Sequence, residues 1–119
     1  MTEAESRLKI VCHGEVTEVE FLDKNILDET NIQHIGAEIS QLIEDAAIPR
    51  LLISFREVDH LSSAALGTLI TLNNRVADRK GRLCLACIQG QILEVFRITK
   101  LDQIFEIYES TSDALKAMA

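Results

Sequence analysis

The feature that most limits what this chain can fold into is a strand–helix–strand run between Leu51 and Ile88. Leu51-Leu52-Ile53-Ser54-Phe55 is a near-continuous apolar stretch, the composition of a central strand covered on both faces. Beyond it, Leu66, Leu69, Ile70, Asn73, Val76 and Ala77 recur at helical spacing along one side, and Lys80-Gly81 supplies a glycine at the C-terminal end. Arg82 to Ile88 then reads as a second buried strand. Two buried strands bracketing one helix within about 38 residues form a βαβ unit, which closes right-handed with its strands parallel.

The remaining segments extend that unit on both sides. Leu8, Ile10 and Cys12 alternate, His13-Gly14 breaks the run, and Thr17, Val19 and Phe21 alternate again. This predicts a β-hairpin with one buried face. Phe21 to Asn25 reads as a connecting loop. From Asp28 or Thr30, the spacing of Ile32, Ile35, Ile39, Leu42, Ile43 and Ala46 predicts a helix that Pro49 ends. After the second buried strand, Gln91 to Ile98 predicts a short helix with Ile92, Val95 and Phe96 inward, and Ile104 to Tyr108 a last strand. Ser110-Thr111-Ser112-Asp113 resembles a capping box ahead of a terminal helix carrying Leu115 and Met118. The order ββαβαβαβα implies an α/β fold, one mixed sheet flanked by helices. Its 119 residues suit a single domain (1–119, core about 8–118) that buries roughly two thirds of its unfolded surface without disulfide or metal.

Composition narrows the function classes. A net charge of −7 leaves no basic patch for nucleic acid and disfavours an anionic membrane. No apolar run has transmembrane length and no signal segment opens the chain, so a cytoplasmic protein is expected. Aromatic residues make up only 4%, which assigns the core to Ile, Leu, Val and Ala. Cys12, Cys84 and Cys87 are an odd number, which fits a reducing compartment. Cys84 and Cys87 do match C-x-x-C, and a thiol reductase is the enzyme reading they would support. Within a strand running to Ile88, however, residues three apart point to opposite faces with Cα atoms roughly 10 Å apart, beyond disulfide reach. His13, His34 and His60 are scattered, no metal-ligand spacing appears, and the five glycines are isolated, so no metal, cofactor or phosphate-cradling loop is expected.

One segment stands apart. His60-Leu61-Ser62-Ser63-Ala64-Ala65-Leu66-Gly67 places two serines where the buried strand hands over to the helix. The free N–H groups of a helix start cap on a serine hydroxyl or receive a phosphate, and the two uses are compatible. A serine hydrolase is disfavoured: the G-x-S-x-G elbow is absent, and Asp59 and His60 are neighbours on a short loop, whereas triad partners come from distant segments.

In this order of elements the chain resembles the STAS domain family, in particular the bacterial anti-sigma factor antagonists, from about Leu8 to Met118. Family members carry Asp-Ser-Ser/Thr-Gly-Leu-Gly after the central strand, preceded by an aliphatic pair spaced like Val58 and Leu61. The matching stretch is Ser62 to Gly67. Leu27-Asp28, Gly81-Arg82-Leu83, and Val95 to Asp102 followed by Ile104-Phe105 are similar to further family signatures. The resemblance implies a non-enzymatic interaction module whose Ser63 is phosphorylated by a partner kinase, a histidine-kinase-like ATPase that doubles as the anti-sigma factor. It implies a docking surface of Asp28, His60, Ser62, Ser63, Ala64, Ala65, Leu66 and Gly67, with Ser62 as cap and Ser63 as switch. A weak homodimer is compatible with this reading. Ser62 stands where the family prefers Asp, Ala64 replaces Ser/Thr, and Ala65 replaces Gly, adding a methyl group where a kinase must approach. A family member that is never phosphorylated, acting as a scaffold, is the alternative.

Overall fold

The computed structural model describes residues 8–118. A hairpin comes first: β1 (Leu8–His13) and β2 (Val16–Phe21) are antiparallel, joined through Gly14 at φ 65°. Next come β3 (Asn25–Ile26), α1 (Glu29–Asp45), β4 (Arg50–Ser54), β5 (His60–Leu61), α2 (Ser63–Asp78) and β6 (Arg82–Ala86). The chain closes with α3 (Gly90–Ile98), a 3-10 turn at Leu101–Gln103, β7 (Glu106–Tyr108) and α4 (Thr111–Met118). Five strands make one mixed sheet in the order β1-β2-β4-β6-β7, with β2, β4, β6 and β7 parallel. The expected α/β order of long elements is therefore present. The two-residue strands β3 and β5 are additions: they pair in parallel as a separate small sheet, where the sequence suggested only loops.

The sheet is covered unequally. Val19, Phe21, Leu51, Ile53, Leu83 and Leu85 pack against α1, α2 and α3 in the main core. On the other face, Leu52, Cys84 and Ala86 pack against Ala114 and Met118 of the short helix α4. The four phenylalanines, despite the low aromatic content, form one series through the main core. Ring centroids lie 5.2 Å apart for Phe21–Phe55, 6.5 Å for Phe55–Phe96 and 5.9 Å for Phe96–Phe105. Edge-on contacts of this kind each add about 0.5–1.5 kcal/mol beyond burial.

Several local expectations need correction. In β1 only Leu8 is buried; Ile10 and Cys12, patterned as inward, are exposed. On α2 the buried residues are Ala65, Leu69, Leu72 and Val76, so the inward face includes Leu72, and Ala77 faces solvent. On α3 Ile92 and Phe96 are buried, but Val95 is 40% exposed. The last strand starts at Glu106, because Leu101–Gln103 forms a 3-10 turn and leaves Ile104 at the surface.

The end of α2 also differs in detail. Lys80, at φ 61°, is the left-handed residue, and the Lys80 and Gly81 N–H groups donate to Ala77 O and Val76 O at 2.9 Å each. That is the Schellman closure with a lysine where glycine is usual. Gly81 is required for another reason: a Cβ there would lie 2.1 Å from Pro49 O, which accepts a hydrogen bond from Arg82 N. Bringing β6 alongside the start of β4 leaves no room for a side chain.

Candidate functional site

The loop after β4 is tied down before it reaches the serines. The Asp59 and His60 N–H groups both donate to Lys24 O, at 2.7 and 3.1 Å, and Ser62 N donates to Ile26 O at 3.1 Å. His60 Nδ1 lies 2.8 Å from Asn25 Oδ1, the geometry of an Nδ1–H donor. Val58, fully buried, anchors the loop from below. Two residues of strand pairing thus join the segment before α1 to the segment before α2.

Ser62 is the N-cap of α2. Its backbone is extended (φ −82°, ψ 165°), and its Oγ accepts from Ala65 N at 3.2 Å, leaving its carbonyl to the Leu66 N–H at 3.1 Å. Ser63 begins the helix and is exposed, with Ala64 and Gly67 exposed nearby. Because Ser62 supplies the cap, the Ser63 hydroxyl is not needed for it. Asp28, exposed, caps α1 in the same way, its Oδ2 accepting from Asn31 N at 3.0 Å.

Ala65 does not belong to this surface. It is only 5% exposed and faces the core beside Phe21, Ile26, Ile32 and Leu69. The methyl that replaces the family's glycine therefore points inward and leaves the approach to Ser63 open.

Beside the serine turn lies a groove of about 200 Å³ lined by Leu27, Asp59, His60, Leu61, Leu66, Gln91, Ile92 and Val95. Leu27, 55% exposed, and Val95 form apolar shoulders on either side. Of the residues expected at a docking surface, His60 and Leu66 line this groove. Leu27 and Val95 were missed for different reasons. Leu27 was noted only for its resemblance to a family signature, and Val95 fits the inward period of α3. In both cases the telling feature is an apolar side chain left outside the core.

The cysteines behave otherwise than their spacing suggested. β6 stops at Ala86, and Cys87 takes a left-handed conformation (φ 62°). The opposite-faces expectation therefore fails: Cys84 and Cys87 both pack in the small core beneath α4. Cys84 is fully buried, and this burial, reinforced by the Glu106 charge, pushes its thiol up to about 11. A reactive thiol needs the opposite shift. Nearby, Arg82 donates from Nε and Nη2 to the two Glu106 oxygens at 2.9 and 2.6 Å, and from Nη1 to Ala117 O at 2.9 Å. The Arg82 hydrogen bonds hold the Glu106 carboxyl below its ordinary value. This paired cluster fastens the end of α4 to the sheet. Among the described residues, no group of three or more His, Cys, Asp or Glu side chains is placed to hold a metal ion. Nor is any helix there long and apolar enough to cross a membrane.

A mixed five-stranded sheet with a capped serine turn in the connection from its central strand β4 to α2 defines the class as a small α/β domain. The sequence pattern of the STAS domain matches residues 13–114, and the chain belongs to the STAS domain family. Solved structures share the fold. An anti-sigma-factor antagonist (STAS) domain protein from Planctomyces limnophilus superposes with a TM-score of 0.84 at 24% identity, covering 98% of this chain and 100% of that one. An anti-sigma factor antagonist from Mycobacterium paratuberculosis gives 0.79 at 22% identity, over 92% and 91% of the two chains. The Bacillus cell fate determinant SpoIIAA in its phosphorylated form gives 0.74 at 16%, over 94% and 99%.

Proposed function

We propose that this protein is an anti-sigma factor antagonist. In this reading it is a cytoplasmic, non-enzymatic switch that binds an anti-sigma factor with serine-kinase activity and is turned off by phosphorylation at Ser63. The observation that carries the reading is the division of labour between the serines: Ser62 Oγ is committed to the cap, while Ser63 is exposed at the first position of α2. The docking face is built from Asp28, His60, Ser62, Ser63, Ala64, Leu66 and Gly67, extended by Leu27 and Val95. Ala65 acts from below by fixing the helix. A phosphate on Ser63 adds nearly two negative charges, tolerated at the positive end of the helix but hostile to a close, partly apolar contact. Incubation with the partner kinase and Mg-ATP is expected to label wild type and Ser62→Ala but not Ser63→Ala. Equal labelling of wild type and Ser63→Ala refutes the site.

A second reading rests on Ser62 standing where the family prefers Asp. Without that carboxylate to orient the hydroxyl or the donor's metal, the chain is a binding module that is never phosphorylated. Intact mass of protein from its native host separates the two: a species 80 Da heavier, the mass of one phosphoryl group, in any growth condition supports the switch.

A further inference from the structure

We propose that the groove beside the serine turn is a socket for one arginine side chain of a protein partner. Asp59 receives the guanidinium, and the apolar walls receive the aliphatic stem. The inference rests on the reading of this face as a docking surface and adds the chemistry of what docks there. At about 200 Å³ the groove is smaller than the roughly 300–1,000 Å³ of sites that enclose a small molecule, and it suits a single side chain. Ile92 is buried against the core, while Leu27 and Val95 stay exposed and Leu66 half-buried, so the walls present apolar surface to an incoming group.

Charge selects the occupant. Asp59 is the one carboxylate among the lining residues, and neither lysine nor arginine lines the groove. Among the described residues the ion pairs are His13–Glu18 and Arg82–Glu106, so no cation there engages Asp59. Its backbone is held: the Asp59 N–H donates to Lys24 O at 2.7 Å, and the next two residues pair with β3. A carboxylate fixed beside apolar walls calls for a side chain that is apolar along its length and cationic at its tip. Lysine and arginine both meet that description. Arginine fits better, because its planar fork bonds both carboxylate oxygens at once. It is also more weakly hydrated than an ammonium group, so it gives up less on entering a largely apolar groove. The overall charge of −7 favours the approach of a basic surface.

The test is an amide-resolved NMR titration of the full chain with N-acetylarginine N-methylamide, raised to about 50 mM because one side chain binds in the millimolar range. Saturable shifts should appear at Asp59, His60, Leu66, Gln91 and Ile92. Asp59→Asn should weaken binding about threefold or more, the upper part of the range for one exposed ion pair. Glu15→Gln removes the same charge at the hairpin turn, the other end of the sheet, and should change nothing. The citrulline analogue, neutral and of nearly the same shape, and the norleucine analogue, an aliphatic stem alone, should both bind about threefold or more weakly than arginine. No saturable shift in the groove, equal binding of either neutral analogue, or an Asp59 variant no weaker than the Glu15 variant overturns the proposal. The phosphorylation assay separates this inference from the reading beneath it. With the partner kinase, Asp59→Asn should raise KM for this chain and keep kcat. Labelling of wild type at Ser63 with KM unchanged in Asp59→Asn overturns the socket alone. Arginine bound in the groove of a chain that is never labelled supports the socket and overturns the switch.

Discussion

The serine turn yields a prediction in which two adjacent, chemically identical residues behave in opposite ways. Replacing Ser62 by alanine removes the one side-chain bond, Ser62 Oγ to Ala65 N, that satisfies an open N–H at the start of α2. At 3.2 Å and half-buried, this bond lies at the long end of the range, and its loss should destabilise the fold by about 1 kcal/mol. For a chain of 119 residues the unfolding entropy is about 0.25 kcal/mol/K, so the melting temperature should fall by about 4 °C. Ser63→Ala removes no capping bond and improves helix propensity, so its effect should lie between zero and about 0.5 kcal/mol of stabilisation.

Ser62→Asp extends the series. Aspartate caps as well as serine and adds a negative charge at the positive end of the helix, which contributes about 0.3–1 kcal/mol at low salt. The expected order of melting temperatures is Ser62→Asp highest, wild type and Ser63→Ala close together, and Ser62→Ala lowest. Thermal unfolding followed by circular dichroism, repeated at about 0.5 M salt, reads this directly, and the aspartate gain should shrink as salt screens it. If Ser63→Ala proves the destabilised variant and Ser62→Ala is neutral, the cap is misassigned and the argument that frees Ser63 for phosphate fails.

Other consequences are checked more simply. Gly81→Ala should destabilise by about 2 kcal/mol or more, because its methyl would meet Pro49 O at 2.1 Å and the strands must part; urea denaturation measures it. The Arg82–Glu106 pair should contribute above the unfolded carboxyl value of about 4.3 and fade as pH falls through the lowered folded value. Glu106→Gln should therefore lose about 1 kcal/mol or less at pH 7, both groups being well exposed, with the difference from wild type closing towards pH 3. Under native conditions a thiol reagent should modify Cys12 rapidly and Cys84 only after unfolding, as mass spectrometry of trapped peptides would show.

Elements long enough to show a period were legible in the sequence. α1 repeats Ile32, Ile35, Ile39 and Ile43, and the middle of β4, Leu51-Leu52-Ile53, is continuously apolar because helices cover it on both sides. On α2 the phase was harder to read. This helix packs on the sheet and on α1 together, so Leu66, Leu69, Ile70 and Leu72 spread over a wide stripe, and one-sided counting displaced Leu72 in favour of Asn73. The small sheet was invisible because two residues carry no alternation; what holds it are backbone bonds to Lys24 and Ile26, which no side chain announces. β1 misled by the reverse route. Its alternation is genuine, but the α1 side of the sheet is covered only as far as Leu8.

The buried Ala65 also determines how a phosphate on Ser63 would act. Hiding the charged group by rotating α2 would turn Ala65 outward and carry Leu69, Leu72 and Val76 with it, since all four share the buried face. Exposing a single large aliphatic side chain costs about 1.5–3 kcal/mol, and three of them far exceed the roughly 1 kcal/mol that a charge gains by moving nearer a helix terminus. The helix therefore stays in place and the phosphate stays at the surface. On the proposed function, its effect would then fall on the affinity for a partner and not on this fold. In amide spectra, the shifts on phosphorylation should be confined to the serine turn, the facing β3 segment and the groove beside α3. Shifts running along the whole of α2 into Val76 would mean that the helix moves after all.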